Sequence, residues 1–208
     1  MATELTPRQR VFLNEIFSAA AAAVSDKISR WTGHSFTVQF LDIGYAPLSG
    51  IAEAAGGSDL YSVATLLPVQ STVQGYVLFI FPELSAQVFV DLVFNRTIGE
   101  SQAWGEAEQS VIIETGNILG STFMNILARA IGKPIATSTP LFLIDYTGSI
   151  IQQVVMEHAL MGDEAMLART RFSKDDLDFE EYFFFIPAPG FLAAVDACLD
   201  ARESGAGR

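Results

Sequence analysis

Four polar residues, Ser110, Glu114, Asn117 and Ser121, break an otherwise apolar stretch at spacings of i, i+4, i+7 and i+11. On an α-helix these spacings form one stripe on one face. Gly116 and Gly120 fall in the same turns, and each glycine costs a helix interior roughly 1 kcal/mol relative to alanine. The pattern predicts a helix over about 105–131, with the stripe solvent-exposed and Glu114 and Asn117 projecting from it.

A second long helix is predicted near the start. Thr6 suits an N-cap, Pro7 the first helical position, and Gln9 completes capping-box spacing, so the helix runs to about Trp31 and stops before Gly33. Its alanine run, 19–23, has so little bulk that another element can approach closely, and Gly116 and Gly120 are candidates to pack there. The segment FTVQFLDIGYAPL reads as extended and leads to a Gly56-Gly57 connection. Strand-like runs follow near 61–67 and 74–81, then a helix opened by Pro82 and reaching Phe94.

The second half repeats this order. A shift of 99 positions places Glu15 on Glu114, Arg30 on Arg129 and Gly33 on Gly132; a shift of 105 later places Phe79 on Phe184, Pro82 on Pro187, Val90 on Val195 and Asp91 on Asp196. We therefore expect one domain over 1–208 built from two repeats, about 7–95 and 104–200. About six extra residues fall in the second loop region, and 202–208 form a disordered tail. The expected class is α+β: antiparallel strands and two long helices related by a pseudo-twofold.

Composition removes several functions. The chain has 208 residues, 50% of them hydrophobic with 16 Phe, enough for a substantial core. No run of 18 apolar residues is present and the charges between Glu4 and Arg10 do not fit a secretory signal, so neither membrane insertion nor export is expected. Cys198 is the single cysteine, which suits a reducing, cytoplasmic setting. A formal charge of −12 argues against nucleic acid. His34 and His158 stand far apart without neighbouring ligands, and no glycine-rich phosphate loop occurs. No metal or cofactor of the chain's own is expected.

A polar stripe is most often simply a solvated helix face. The side chains here also allow chemistry: Asn presents an acceptor and two donors that can orient a water, and an ionised Glu can clamp a Lys or Arg. Ser110-x-x-x-Glu114-x-x-Asn117, then 22 residues, then Pro140, resembles the motif of the CheC/CheX/FliY family of response-regulator phosphatases. The duplicated layout and length are most similar to CheC, and the resemblance spans nearly the whole chain.

That resemblance implies hydrolysis of the aspartyl phosphate on a CheY-type receiver domain in chemotaxis or related two-component signalling. Glu114 would pair with a receiver lysine and Asn117 would align the attacking water. Ser110, Gly116, Gly120, Ser121 and Pro140 would support the motif, and Mg²⁺ would belong to the phosphorylated partner. The first copy of the motif is degenerate: Glu15 is kept, but Ser18 replaces Asn, Leu41 replaces Pro, and Phe17, in place of the small residue, is expected to crowd an incoming partner. One working site is expected, with Glu15 either retaining a role or merely exposed. The competing readings are a non-enzymatic docking module, on a receiver or a CheD-type deamidase, and a flagellar-switch component. Phe183, Phe184 and Phe185 read as a buried strand. Asp175, Asp176, Asp178, Glu180 and Glu181 read as a solvated loop, and Met156 and His158 as ordinary strand or loop packing.

Overall fold

The computed structural model describes residues 4–71, 74–157 and 164–205. Helix α1 spans Pro7–Thr32. Gln9 N donates to Thr6 Oγ1 at 3.3 Å while Thr6 N donates to Gln9 Oε1 at 2.9 Å, so the capping box forms as its sequence predicts. Gly33, at φ 75°, closes the helix in the left-handed region, which L side chains rarely adopt. Helix α4, Glu106–Ile131, ends the same way at Gly132, φ 67°. Glu106 and Glu108 in its first turn and Arg129 in its last complement the helix dipole.

Between and after these helices come β1 (Thr37–Pro47), a 3-10 turn, α2 (Ile51–Ala54), β2 (Tyr61–Ser71), β3 (Gly75–Pro82) and α3 (Glu83–Val93). The second half adds β4 (Ile135–Thr137), β5 (Leu141–Tyr146), α5 (Thr147–Glu157), β6 (Glu164–Lys174), β7 (Leu177–Pro187) and α6 (Phe191–Glu203). The described strands form one antiparallel sheet in the order β1-β6-β7-β3-β2, with β4 and β5 sharing the far side of β2. This order is palindromic. The opening strand or strands of each half lie on the other half's hairpin, β1 against β6 and β4 and β5 against β2, and the β3–β7 pair stands at the centre.

The sheet corrects the expected alignment of the halves. Phe79 packs in the cluster under the long helices, whereas Phe184 belongs to the cluster on the opposite face. A one-residue slip exchanges faces, so the residue matching Phe79 in sidedness is its neighbour Phe183, which lies 5.1 Å from it between ring centroids. Pro187 ends β7 rather than opening a helix; α6 starts at Phe191 after Gly190. Residues 202 and 203, expected in a disordered tail, form the last turn of α6. Arg202 Nη2 donates to Ala130 O at 2.8 Å and Glu203 pairs with Arg8 at 3.0 Å, while 206–208 lie outside the described residues.

Both sheet faces are covered. Under α1 and α4, the Phe17 ring lies 4.7 Å from Phe123, 4.9 Å from Phe40 and 5.5 Å from Phe183. Across the sheet, α2 and α5 bury Ile51, Ile150, Ile151 and Val154 against Leu78, Ile80, Phe184 and Ile186. Phe183, Phe184 and Phe185 are indeed a fully buried part of a strand because β7, in the interior of the sheet, has both faces covered. Helix α5 has no sequence-stated counterpart; it places Met156, expected in a strand or loop, 72% exposed on a helix, and His158 lies outside the described residues. Helix α4 is long and apolar enough to span a bilayer by length and composition, yet 56% of that window is buried inside the fold, as in a core helix.

The acidic group is not a solvated loop throughout. Asp175 and Asp176 form the β6–β7 turn, whereas Asp178, Glu180 and Glu181 are in β7. Strand alternation sends Glu180 towards Arg169 (3.3 Å) and Arg171 (3.1 Å), and turns Glu181 inward. Glu181 is completely buried opposite Thr170, with no hydrogen-bond partner for either carboxyl oxygen. Burial holds its carboxyl well above the ordinary range, so the folded state binds a proton that the unfolded chain releases. Stability should therefore be fullest below the ordinary glutamate range and decline as pH rises towards the folded-state value. Urea midpoints measured from pH 5 to 8 should fall in the wild type and stay flatter in Glu181→Gln; parallel slopes would contradict this.

Candidate functional site

Helix α4 is seated on β2 by its glycines. A Cβ at Gly116 would lie 2.6 Å from the Thr65 Cβ and Cγ2, and one at Gly120 would lie 2.9 Å from Leu67 Cδ2. Thr65 Oγ1 donates to Ile112 O at 3.1 Å, the carbonyl one turn before Gly116. The glycines thus serve helix–sheet contact and not the expected packing on the alanines of α1. They are also buried, off the polar stripe. The two long helices meet instead through Phe17 and Phe123 and through Lys27 Nζ, which donates to Thr122 Oγ1 at 2.8 Å.

With α4 fixed at this depth, the stripe runs along its flank. Ser110 is exposed and its hydroxyl donates back to Glu106 O at 2.7 Å, a role within the helix. Glu114, Asn117 and Ser121 are half-buried, not fully exposed as the periodicity predicts, because the helix is sunk towards the sheet. Among the described residues, neither the Glu114 carboxylate nor the Asn117 amide has a side-chain hydrogen bond or ion pair. Pro140 is half-buried in the break between β4 and β5, next to the point where Ser138 N donates to Pro68 O at 2.8 Å.

Beside Glu114 an open groove of about 530 Å³ is lined by Trp31, Phe94, Ala107, Ser110, Val111 and Ile113. Its far wall is braced by the connection from α3 to α4. Arg96 lies 4.4 Å over the Phe94 ring and ion-pairs with Glu108 on α4 at 2.7 Å, and that guanidinium holds the Glu108 carboxyl below its ordinary range. Asp91 ties the loop by accepting from Gly99 N, Glu100 N and Ser101 N. Burial alone would raise the Asp91 pKa, but the Ser101 hydroxyl and these backbone donors outweigh it and lower it. Trp31, Phe94 and Thr65 were not singled out by the sequence pattern. Isolated apolar residues at helix ends and one threonine in a strand give no periodic signal.

The first half places Glu15 and Ser18 on the exposed side of α1. Glu15 borders a groove with Val11, Phe12, Leu199 and Arg202, and Ser18 borders another that includes Leu41. Phe17 does not crowd an incoming partner: it is 1% exposed and packs inward on the aromatic cluster. Among the described residues no group of three or more His, Cys, Asp or Glu is placed to hold a metal.

No family model matches the chain. A Halobacterium salinarum protein named as a candidate CheY-P phosphatase, CheC1, is 26% identical over 140 residues, 67% of this chain and 71% of its own length. The CheY-P phosphatase CheC of Bacillus subtilis is 24% identical over 135 residues, 62% of this chain and 65% of that protein. Among solved structures, Thermotoga maritima FliY superposes with a TM-score of 0.72 at 14% identity, covering 88% of this chain and 91% of that one. FliM from H. pylori, solved in a complex with SpeE, gives 0.69 at 7% identity with 96% and 98% covered. CheX of a Borrelia burgdorferi CheX-CheY-BeF3-Mg complex gives 0.51 at 16% identity with 83% and 96% covered. The chain is thus similar in sequence to proteins named CheC and shares its fold with FliY, FliM and CheX.

Proposed function

We propose that this chain is a response-regulator phosphatase that hydrolyses the aspartyl phosphate of a CheY-type receiver domain, acting in the cytoplasm in chemotaxis or a related two-component pathway. The observation that carries the reading is a carboxylate and an amide, Glu114 and Asn117, left without internal partners one turn apart on a helix locked to its sheet. The names of the CheC relatives, and the CheY bound to CheX in a structure of similar fold, support the same substrate. Water attacks phosphorus, the bond from phosphorus to the aspartyl oxygen breaks, and inorganic phosphate and a free carboxylate result. Such a reaction asks chiefly for positioning and charge stabilisation. Glu114 binds the receiver's lysine and sets the docking register, and the Asn117 amide orients the water. Mg²⁺ is the receiver's and supplies charge neutralisation at the phosphoryl group. Ser18 is too short for Asn117's task, so the first half carries no second catalytic site.

The test is the decay of phosphorylated receiver with and without this protein. Acceleration is expected, and Glu114→Ala is expected to raise KM and to lower the maximal rate together, because its ion pair sets the register before the water is placed. A second reading, docking on a receiver or a CheD-type deamidase without hydrolysis, draws on the fold shared with FliM. Stable binding of either partner without acceleration would select it.

A further inference from the structure

The groove beside Glu114 has a copy in the first half whose lining carries charges of both signs. On α4 it runs from Ala107 and Ser110 to Glu114 and is closed by Phe94 at the end of α3; on α1 it runs from Arg8 and Val11 to Glu15 and is closed by Leu199 of α6. The α4 copy is apolar and braced. Trp31 and Phe94 stay 38% and 37% exposed, and the Arg96–Glu108 pair, with Arg96 also bonded to Ser101 at 2.9 Å, fixes Phe94 before any partner arrives. The one acidic group lining this groove is the unpaired Glu114. In the α1 copy, Arg8 pairs with Asp200 at 2.9 Å and Glu203 at 3.0 Å, and Arg202 lies 5.0 Å over the Phe12 ring, so cations and ion pairs already occupy its walls.

We propose that the α4 groove is the affinity-determining dock for the receiver domain, taking an apolar or aromatic receiver side chain that stands next to the lysine claimed by Glu114. This rests on the phosphatase reading for the identity of the partner. A preformed aromatic wall binds without the cost of ordering it, and a carboxylate at its rim selects a cation beside the apolar group. The α1 copy sets Arg8 and Arg202 beside Glu15 and Glu203, so the same lysine would meet cations as well as carboxylates there. The groove thus chooses which half of a duplicated protein the receiver meets, independently of whether Asn117 or Ser18 waits there.

The experiment measures Kd for a beryllofluoride-loaded receiver domain by titration calorimetry, together with kcat and KM for phosphoryl-receiver decay. Trp31→Ala and Phe94→Ala should each raise Kd and KM by about thirty-fold, the size of an interface anchor, with kcat changed less than about three-fold. Ala107→Trp fills the groove from an exposed position and should weaken binding without disturbing the core, and Val11→Ala in the α1 copy should leave both constants within two-fold. Unchanged Kd and KM in Trp31→Ala, Phe94→Ala and Ala107→Trp, with acceleration intact, would overturn the dock and spare the phosphatase. Binding that depends on Phe94 without acceleration by the wild type would keep the dock and overturn the phosphatase. A receiver neither bound nor dephosphorylated would overturn both.

Discussion

Asn117→Ala should slow phosphoryl-receiver hydrolysis by about 10²-fold, the penalty expected when a reacting group loses its placement. The amide is half-buried and has no partner within the fold, so removing it leaves no orphaned donor or acceptor. Alanine is also the better helix former, by roughly half a kcal/mol. Stability should therefore change by less than about 0.5 kcal/mol, and the loss of rate should be a loss of chemistry. KM and receiver binding should stay near wild type, because Glu114 and the groove beside it are untouched. Asn117→Asp keeps the size but replaces two donors by a charge that repels the phosphoryl group, and it should be at least as slow. A variant that binds and hydrolyses like the wild type would remove Asn117 from the mechanism.

Gly116→Ala should damage both fold and activity, and the damage should be repaired from β2. The added Cβ would meet Thr65 at 2.6 Å on both Cβ and Cγ2 and at 2.9 Å on Oγ1. Overpacking of this kind costs about 1–3 kcal/mol, against roughly 1 kcal/mol regained from helix propensity. The helix must rise from the sheet, stretching the Thr65–Ile112 hydrogen bond and shifting Glu114 and Asn117 with it. Thr65→Ala removes Cγ2 and Oγ1 but leaves the close Cβ, so it should restore Gly116→Ala only in part; Thr65→Gly should restore more of the rate, despite its own cost in a strand. Denaturation midpoints and decay rates for the single and double variants would show this as a favourable coupling. Additive losses would mean that Gly116 and Thr65 do not define the height of α4.

Much of this was legible because local signals agreed with the final packing. The capping box at Thr6 and Gln9 and the glycine stops at Gly33 and Gly132 act within a few residues, and they mark both long helices to within a residue. The motif positions could be read from spacing because one helix carries Ser110, Glu114 and Asn117. What failed to show was sidedness and depth. Identity matching favoured Phe79 with Phe184, since adjacent phenylalanines in a doubly covered strand give no clue to which face each occupies. Glu181 read as solvated because it follows a charged turn, although alternation alone sends it inward once Glu180 meets Arg169 and Arg171. Gly116 and Gly120 flagged a close approach without naming what approaches, and β2 could be identified only once the sheet order was known.

The palindromic strand order has a consequence for synthesis. Strand β1 finds its partner only when β6 exists, with Thr37 pairing Ser173, and β2 receives β5 from the other half. At ribosomal rates of about 5–20 residues per second, the interval between those two residues amounts to roughly seven to twenty-seven seconds. Throughout it the nascent first half displays β1 with both edges bare and the aromatic faces of Phe17 and Phe40 without β7 beneath them. Neither half is then an independent folding unit, and the amino-terminal half expressed alone should aggregate or pair with a second copy of itself. The strand order that makes the sheet symmetric also makes the chain wait for β6 and β7, in its last third, before it can close.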